Sequence, residues 1–178
     1  VMVEHRNVAR LFSATRDWFD FNWRDVWALF HSYAFDFSVW EIWGALIHGG
    51  QLLVVPQVVS RSPQACYALL CEARVSILNQ TPSAFRSLIA AQDQSGLKHS
   101  LRQVIFGGEA LEPGMLKPWY ARLENVGTQL VNMYGITETT VHVTYRPLQS
   151  EDAQWVGSSP IGRRIPDLQL YVLDARRE

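Results

Sequence analysis

The sequence predicts an α/β domain built of alternating strands and helices on a largely parallel sheet. Three observations carry that expectation. Short apolar runs alternate with amphipathic helical stretches at least three times. The connections between them are short. Several runs end in glycine or polar residues, as strands do where a parallel sheet presents its C-terminal edge. In parallel βαβ units those ends share one side of the sheet, which is where open α/β sheets hold ligands. Asn79, Gly107 and Asn132 are therefore expected to lie near one another.

The elements follow in order. From Asn7 onward, Val8, Leu11 and Phe12 recur at helical spacing and predict a helix. Residues 17–24, mixed and aromatic, read as a loop with a turn. Residues 26–30 form a short buried strand and 31–37 a loop. Ser38 and Glu41 have the spacing of a capping box, with Phe37 stapled onto Ile42. The helix they open runs to about His48, carries Trp40, Trp43 and Ile47 on one face, and ends at Gly49-Gly50. Residues 51–55 are a strand closed by Pro56. Ser62-Pro63 opens the next helix as cap and first-turn proline, with Cys66, Leu69, Leu70 and Ala73 as its stripe. Residues 75–78 are a strand running into Asn79-Gln80. Thr81-Pro82 starts a helix with Phe85, Leu88 and Ile89 inward. Residues 101–106 form a strand ending at Gly107-Gly108-Glu109, and 113–123 are helical. Residues 129–131 form a strand that feeds the polar stretch 132–140. Residues 141–145 and 168–174 alternate like strands.

Composition narrows the function classes. Apolar residues make up 48% of the 178, so a packed core is expected. With 16 basic and 17 acidic residues and no basic block, neither nucleic acid nor a membrane is an expected partner. No apolar run is long enough to span a bilayer, and residues 1–5 do not open a signal peptide. Cys66 and Cys71 do not match zinc spacing and read as reduced thiols, which points to a cytoplasmic location. Four of the seven tryptophans fall between Trp18 and Trp40, a cluster that suits a pocket wall or a core.

Chemistry gathers where strands end. Residues 132–140 offer an amide (Asn132), an aromatic face (Tyr134), a break (Gly135), three hydroxyls (Thr137, Thr139, Thr140) and a carboxylate (Glu138). A nucleotide with magnesium uses that mix, and an ordinary threonine-rich surface turn has it too. Gly107-Gly108 lets backbone approach a flat ligand, or makes a tight strand-to-helix turn. Asp36, just ahead of a helix and between Phe35 and Phe37, can pair with a ligand ammonium or merely support the helix start. His142 can be a pocket partner or a structural residue. No phosphate loop, Ser/His/Asp order or His-Glu-x-x-His cluster occurs.

Residues 35–41 (FDFSVWE), 79–83 (NQTPS), 107–109 (GGE) and 132–140 (NMYGITETT), in that order and spacing, closely resemble the adenylation domains of non-ribosomal peptide synthetases. These are relatives of acyl-CoA ligases and luciferases. Val1, Glu4, His5, Asn7 and residues 160–163 match as well, so the likeness covers the whole chain. It implies a central fragment, 1–178, of the large N-terminal subdomain, with the family's phosphate loop and C-terminal lysine outside it. A fragment without that lysine is expected to be inactive or nearly so. The family departs from this chain in often having proline where Ile136 stands.

The resemblance implies activation of an amino acid by ATP and Mg2+, then transfer to the phosphopantetheine thiol of a peptidyl carrier protein, with a condensation domain nearby. It implies that Asn132 reads adenine, that Tyr134 and the Gly107-Gly108 backbone sandwich the base, and that Glu109 and Gly135 belong to the same nucleotide site. Thr137 then meets the α-phosphate, Glu138 holds magnesium, and Asp36 pairs with the α-ammonium group. The side-chain pocket maps to Asp36, Phe37, Trp40, Asn79, Ile105, Gly107, Met133, Val141 and His142, a set resembling that for L-threonine. The rivals are an acyl- or aryl-CoA ligase and a catalytically inactive nucleotide-binding or interaction fragment.

Overall fold

The structure is a computed structural model, and it describes residues 1–176. Its elements in chain order are α1 (His5–Phe19), β1 (Val26–Leu29), α2 (Phe37–Ile47), β2 (Gln51–Val54), α3 (Gln57–Ser60), α4 (Pro63–Glu72), β3 (Ile77–Gln80) and α5 (Pro82–Ser95). Then come β4 (Gln103–Phe106), α6 (Lys117–Tyr120), β5 (Gln129–Tyr134), β6 (Thr144–Leu148) and β7 (Arg163–Arg164). One seven-stranded sheet runs β2-β1-β3-β4-β5-β6-β7. The first five strands are parallel, β6 pairs antiparallel with β5, and β7 pairs antiparallel with β6.

Strand alternation sorts the core into two layers. Ala28, Leu78, Val104, Phe106 and Leu130 meet α4, α5 and the 116–119 region on one face. Trp27, Ile77, Ile105, Val131 and Met133 meet α1 and α2 on the other. Sheets covered on both sides need strands apolar on both faces, and β3 and β4 are buried throughout. Two helix starts follow their sequence signals: the Ser62 and Thr81 side chains accept from the amides of Ala65 and Ala84, each with proline in the first turn.

Several expectations need correction. Helix α1 runs on to Phe19, into the stretch read as a loop, because Phe19 is core. There is no capping box at Ser38. Helix α2 begins at Phe37, the Ser38 hydroxyl donates to the Phe35 carbonyl (2.7 Å), and Glu41 is engaged by His31. Phe37 belongs to the inner cluster rather than stapling Ile42. Trp40 is fully buried while Trp43 and Ile47 are 39% and 48% exposed, so the three do not share a buried face. Residues 113–123 are not one helix but two short 3-10 turns flanking the four-residue α6. Strand β5 reaches Tyr134, and the next strand starts at Thr144 rather than at Val141, because Thr140 and Val141 take positive φ. Residues 168–174 are not a strand; β7, unforeseen, pairs with β6 instead.

The N-terminal edge of the sheet is tied by one ion pair. Arg102 donates to both Asp25 oxygens, each at 2.6 Å, and to the carbonyls of Phe19 and Asp20 at the end of α1. Asp25 also accepts from the Asn22 amide (2.9 Å) and the Ser76 hydroxyl (2.8 Å). Burial alone would raise its pKa, but Arg102 and the other donors outweigh it and hold the carboxyl below the usual aspartate range. A depressed carboxyl stabilises the fold above its unfolded pKa and loses that contribution as pH falls through the folded value. Asp25→Asn should therefore cost about 2–3 kcal/mol at neutral pH, below the full cost of a buried pair since Arg102 is a third exposed. The gap between parent and variant should close as pH drops below about 4. Urea denaturation across pH measures it, and a gap that does not change with pH would rule the account out.

Candidate functional site

Three parallel strands deliver the site. Gln80 lies in register beside Phe106, and Phe106 beside Asn132. The Gly107 amide donates to the Gln80 carbonyl (3.4 Å). The ends of β3, β4 and β5 thus meet at one edge, as the parallel order requires. Alternation places Asn79, Ile105 and Met133 on the face under α1 and α2, and Asn132 and Tyr134 on the other.

Two cavities open along this edge, and both reach Gly108, Met133, Gly135 and Ile136. The first, about 250 Å³, is lined as well by Phe35, Asp36, Phe37, Gly107, Thr137, Glu138, Val141 and His142. The second, about 510 Å³, adds Glu109, Ala110, Asn132, Tyr134, Ser158, Ser159 and Ile161. Trp40, Asn79 and Ile105 line neither. They are fully buried, with the Trp40 ring edge-on to His142 at 5.1 Å and Ile105 in the cluster that holds Phe37, Met133 and Val141.

The first cavity holds polar groups without partners. Asp36 stands at the N-cap of α2 yet makes no capping bond, and among the described residues its carboxylate has no hydrogen bond or ion pair. His142 is 2% exposed and neither ring nitrogen has a partner. Burial pushes its pKa down to about 3, so the imidazole is neutral at physiological pH. The Phe37 and Trp40 rings hold it edge-on. Asn79 has no exposed surface, and neither amide atom is paired. Leaving a buried polar group unpaired costs about 1–3 kcal/mol, so the unpartnered His142 on the cavity wall, with the half-buried and unpartnered Asp36 on the same wall, points to a polar ligand. A Cβ on Gly107 would sit 3.2 Å from the Phe37 ring and 3.6 Å from His142, so glycine there keeps the wall thin.

The turn after β5 separates its hydroxyls. Thr139 Oγ1 accepts from the Ile136 amide (3.2 Å) and donates to its carbonyl (2.9 Å), closing a 3-10 turn over Thr137–Thr139. Thr140 is buried. Thr137 alone of the three lines the cavity, next to the exposed Glu138. Among the described residues no group of three or more His, Cys, Asp or Glu forms a metal cage. Magnesium carried with substrate phosphates needs only one or two protein carboxylates, and Glu138 fits that mode.

In the second cavity Asn132 Nδ2 donates to the Pro160 carbonyl (2.9 Å) and the Ser159 hydroxyl (3.2 Å). Both amide hydrogens are spent, so the side chain offers its oxygen as an acceptor. Tyr134 is half exposed on the cavity wall. Glu109 lines it too, but its carboxylate accepts from the Ser83 amide (3.1 Å) and hydroxyl (2.9 Å), holding the glycine turn to the start of α5. Ser159, Pro160 and Phe35 were not singled out as site residues in the sequence. Ser159 lies 27 residues from Asn132, and no local pattern joins them.

A larger hollow, about 720 Å³, lies between α1 and the end of α2, lined by Arg16, Asp17, Asp20 and His48. No strand end reaches it and none of the unpartnered groups faces it, so the chemistry belongs at the strand edge.

A doubly covered, mostly parallel sheet with two cavities sharing a wall at its strand ends defines the class. The chain belongs to the AMP-binding enzyme family, matched over residues 1–178. It is 59% identical over 174 residues to malpinin synthetase of Mortierella alpina, covering 98% of this chain and 2% of that protein. It is 56% identical over 179 residues to the dimodular nonribosomal peptide synthase of Bacillus subtilis, covering 99% of this chain and 8% of that one. Its fold matches the Vibrio cholerae adenylation domain AlmE in complex with glycyl-adenosine-5'-phosphate, with TM-score 0.82, 28% identity, and 99% of this chain against 32% of that one. No helix among the described residues is long and apolar enough to cross a membrane.

Proposed function

We propose that the protein containing this chain activates an amino acid with ATP, forming an aminoacyl-adenylate and pyrophosphate for transfer to a carrier-protein thiol in non-ribosomal peptide synthesis. The observation that carries this reading is the pair of cavities meeting at Gly108, Met133, Gly135 and Ile136. An aminoacyl-adenylate is two ligands joined by one bond, and it needs two such spaces with a shared wall. The glycyl-adenosine-5'-phosphate in the AlmE complex is a ligand of that kind.

Placement supports a role for each residue. The amino acid lies in the smaller cavity with its ammonium on Asp36. Its carboxylate oxygen then reaches the α-phosphorus of ATP lying across Gly135. A new P–O bond forms and pyrophosphate leaves. The Thr137 hydroxyl donates to phosphate oxygen, and Glu138 would hold magnesium, which supplies charge neutralisation on the phosphates. Asn132 accepts from the adenine amino group while Tyr134 and the Gly107-Gly108 backbone flank the base. This is catalysis by positioning and electrostatics. The rival acyl- or aryl-CoA ligase reading is disfavoured by Asp36, since such acids bring no cation for an otherwise unpaired carboxylate.

We assign L-threonine as the amino acid. Phe37, Met133 and Val141 suit its methyl group, with Trp40 and Ile105 packed in the same cluster, and the unpaired His142 suits its hydroxyl, with the unpaired Asn79 buried at the end of β3. Polar partners left unpaired penalise an analogue without the hydroxyl more than an apolar pocket penalises a missing methyl. Pyrophosphate exchange should therefore rank threonine above serine and serine above valine. Because His142 stays neutral, the ranking should not change between about pH 5 and 8. Equal exchange with valine would end the threonine assignment.

A further inference from the structure

One buried acid stands outside the chemistry above. Glu41 has no exposed surface. Its Oε1 is hydrogen-bonded to His31 Nδ1 (2.8 Å), and its Oε2 accepts from the His31 backbone amide (3.2 Å). The His31 ring lies flat on Phe37, with 4.7 Å between centroids and 20° between planes. Phe30 and Phe35 close on His31 from the edges at 5.3 and 5.4 Å. On its far side Phe37 forms a wall of the smaller cavity and meets His142 at 5.3 Å.

We propose that His31 and Glu41 are a positioning pair that fixes the Phe37 ring and so sets the side-chain selectivity of the cavity. The proposal rests on reading that cavity as the amino-acid site. An apolar side chain at position 41 would fill the same space without the cost of desolvating a carboxylate. The acid's distinct contribution is directional. It holds the His31 main chain and ring at once, which fixes the ring plane. That plane is the surface on which Phe37 rests, and small displacements of a pocket wall change discrimination between similar side chains.

The test uses the complete polypeptide that contains these residues, with amino-acid-dependent pyrophosphate exchange as readout. Glu41→Gln keeps the volume but has one acceptor oxygen for the two His31 groups that Glu41 holds, so one of the two contacts is lost. We expect KM for the amino acid to rise about tenfold and its preference over the next-best amino acid to fall about tenfold, with KM for ATP within about twofold. A second pair of variants isolates the ring. The double variant H31F/E41L keeps a ring under Phe37 with apolar backing and should hold the preference within about threefold of the parent; H31A/E41L should lose it.

The proposal is overturned if Glu41→Gln leaves amino-acid KM and preference unchanged. A parallel rise in KM for ATP, the sign of general loosening, overturns it too, as does equal recovery by H31A/E41L. If Glu41→Gln does not fold, the two double variants decide. Failure of the parent to exchange with any amino acid is a separate result: it removes the adenylation reading, and this proposal with it.

Discussion

Gly135→Ala is expected to lower amino-acid-dependent pyrophosphate exchange by about a hundredfold or more. The reason is backbone against backbone. A Cβ at position 135 would lie 2.1 Å from the Val141 carbonyl oxygen and 2.7 Å from His142 Cα. Neither atom is the end of a flexible side chain. Relief requires the segment that carries Val141 and His142 to move away from the end of β5. That segment is already held in an unfavourable form, with Thr140 and Val141 at φ 65° and 66°. Such backbone costs about 1–3 kcal/mol per residue and persists only where its surroundings over-determine it. The bond from the Val143 amide to the Tyr134 carbonyl (2.7 Å) is one of those constraints and would be strained first. His142 would then leave its seat between Phe37 and Trp40, and both cavities would lose their common wall. The stability loss should be smaller, about 1–3 kcal/mol, as for other overpacked sites. Gly127→Ala is the control, since a Cβ there meets nothing within 4 Å. Exchange assays with thermal denaturation on both variants test the account, and retention of near-parental rates by Gly135→Ala would refute it.

The sequence was most legible where one local signal was enough. Ser62-Pro63 and Thr81-Pro82 mark helix starts by capping chemistry that needs no distant partner, and both stand as expected. The apolar stretches that end at Asn79, Gly107 and Asn132 read as strands because burial on both faces leaves few polar positions. What failed was decided by tertiary partners. Ser38 and Glu41 have capping-box spacing, yet Glu41 is drawn inward by His31, ten residues earlier. Residues 168–174 alternate well but pair with no strand among the described residues, and alternation without a neighbour makes no sheet. Val141 looks like strand and sits in a left-handed turn whose carbonyl closes on Gly135. The same division holds in the candidate site. Asp36, Asn79, Gly107 and residues 132–138 stand in contiguous motifs and could be singled out. The hold of Ser159 and Pro160 on Asn132, and the seat of His142 against two rings, exist only in the folded chain.

Asp36→Asn should have the other large effect, and the substrate itself can show why. Truncating one side of a buried, hydrogen-bonded charge pair costs about 2–5 kcal/mol, which is a fall in kcat/KM of about thirtyfold to several thousandfold. Two other sources of loss are small. The Asp36 side chain makes no capping bond to α2, so no cap is removed. Neutralising a charge at a helix N-terminus costs about 0.3–1 kcal/mol, too little to explain such a fall. The asparagine keeps the size of the aspartate, so the cavity wall stays in place. If the carboxylate faces the substrate ammonium, removing either partner should do similar damage, and removing both should cost little more than removing one. The matching probe is the 2-hydroxy acid with the same side chain, in which a neutral hydroxyl replaces the ammonium. Parent enzyme should discriminate strongly against it, whereas Asp36→Asn should accept both acids at similar low rates. The four kcat/KM values close a cycle, and a coupling near zero would take Asp36 out of substrate recognition. A coupling of about 2 kcal/mol or more would leave a CoA ligase for simple acids without support, because only an aminated substrate gives Asp36 a partner.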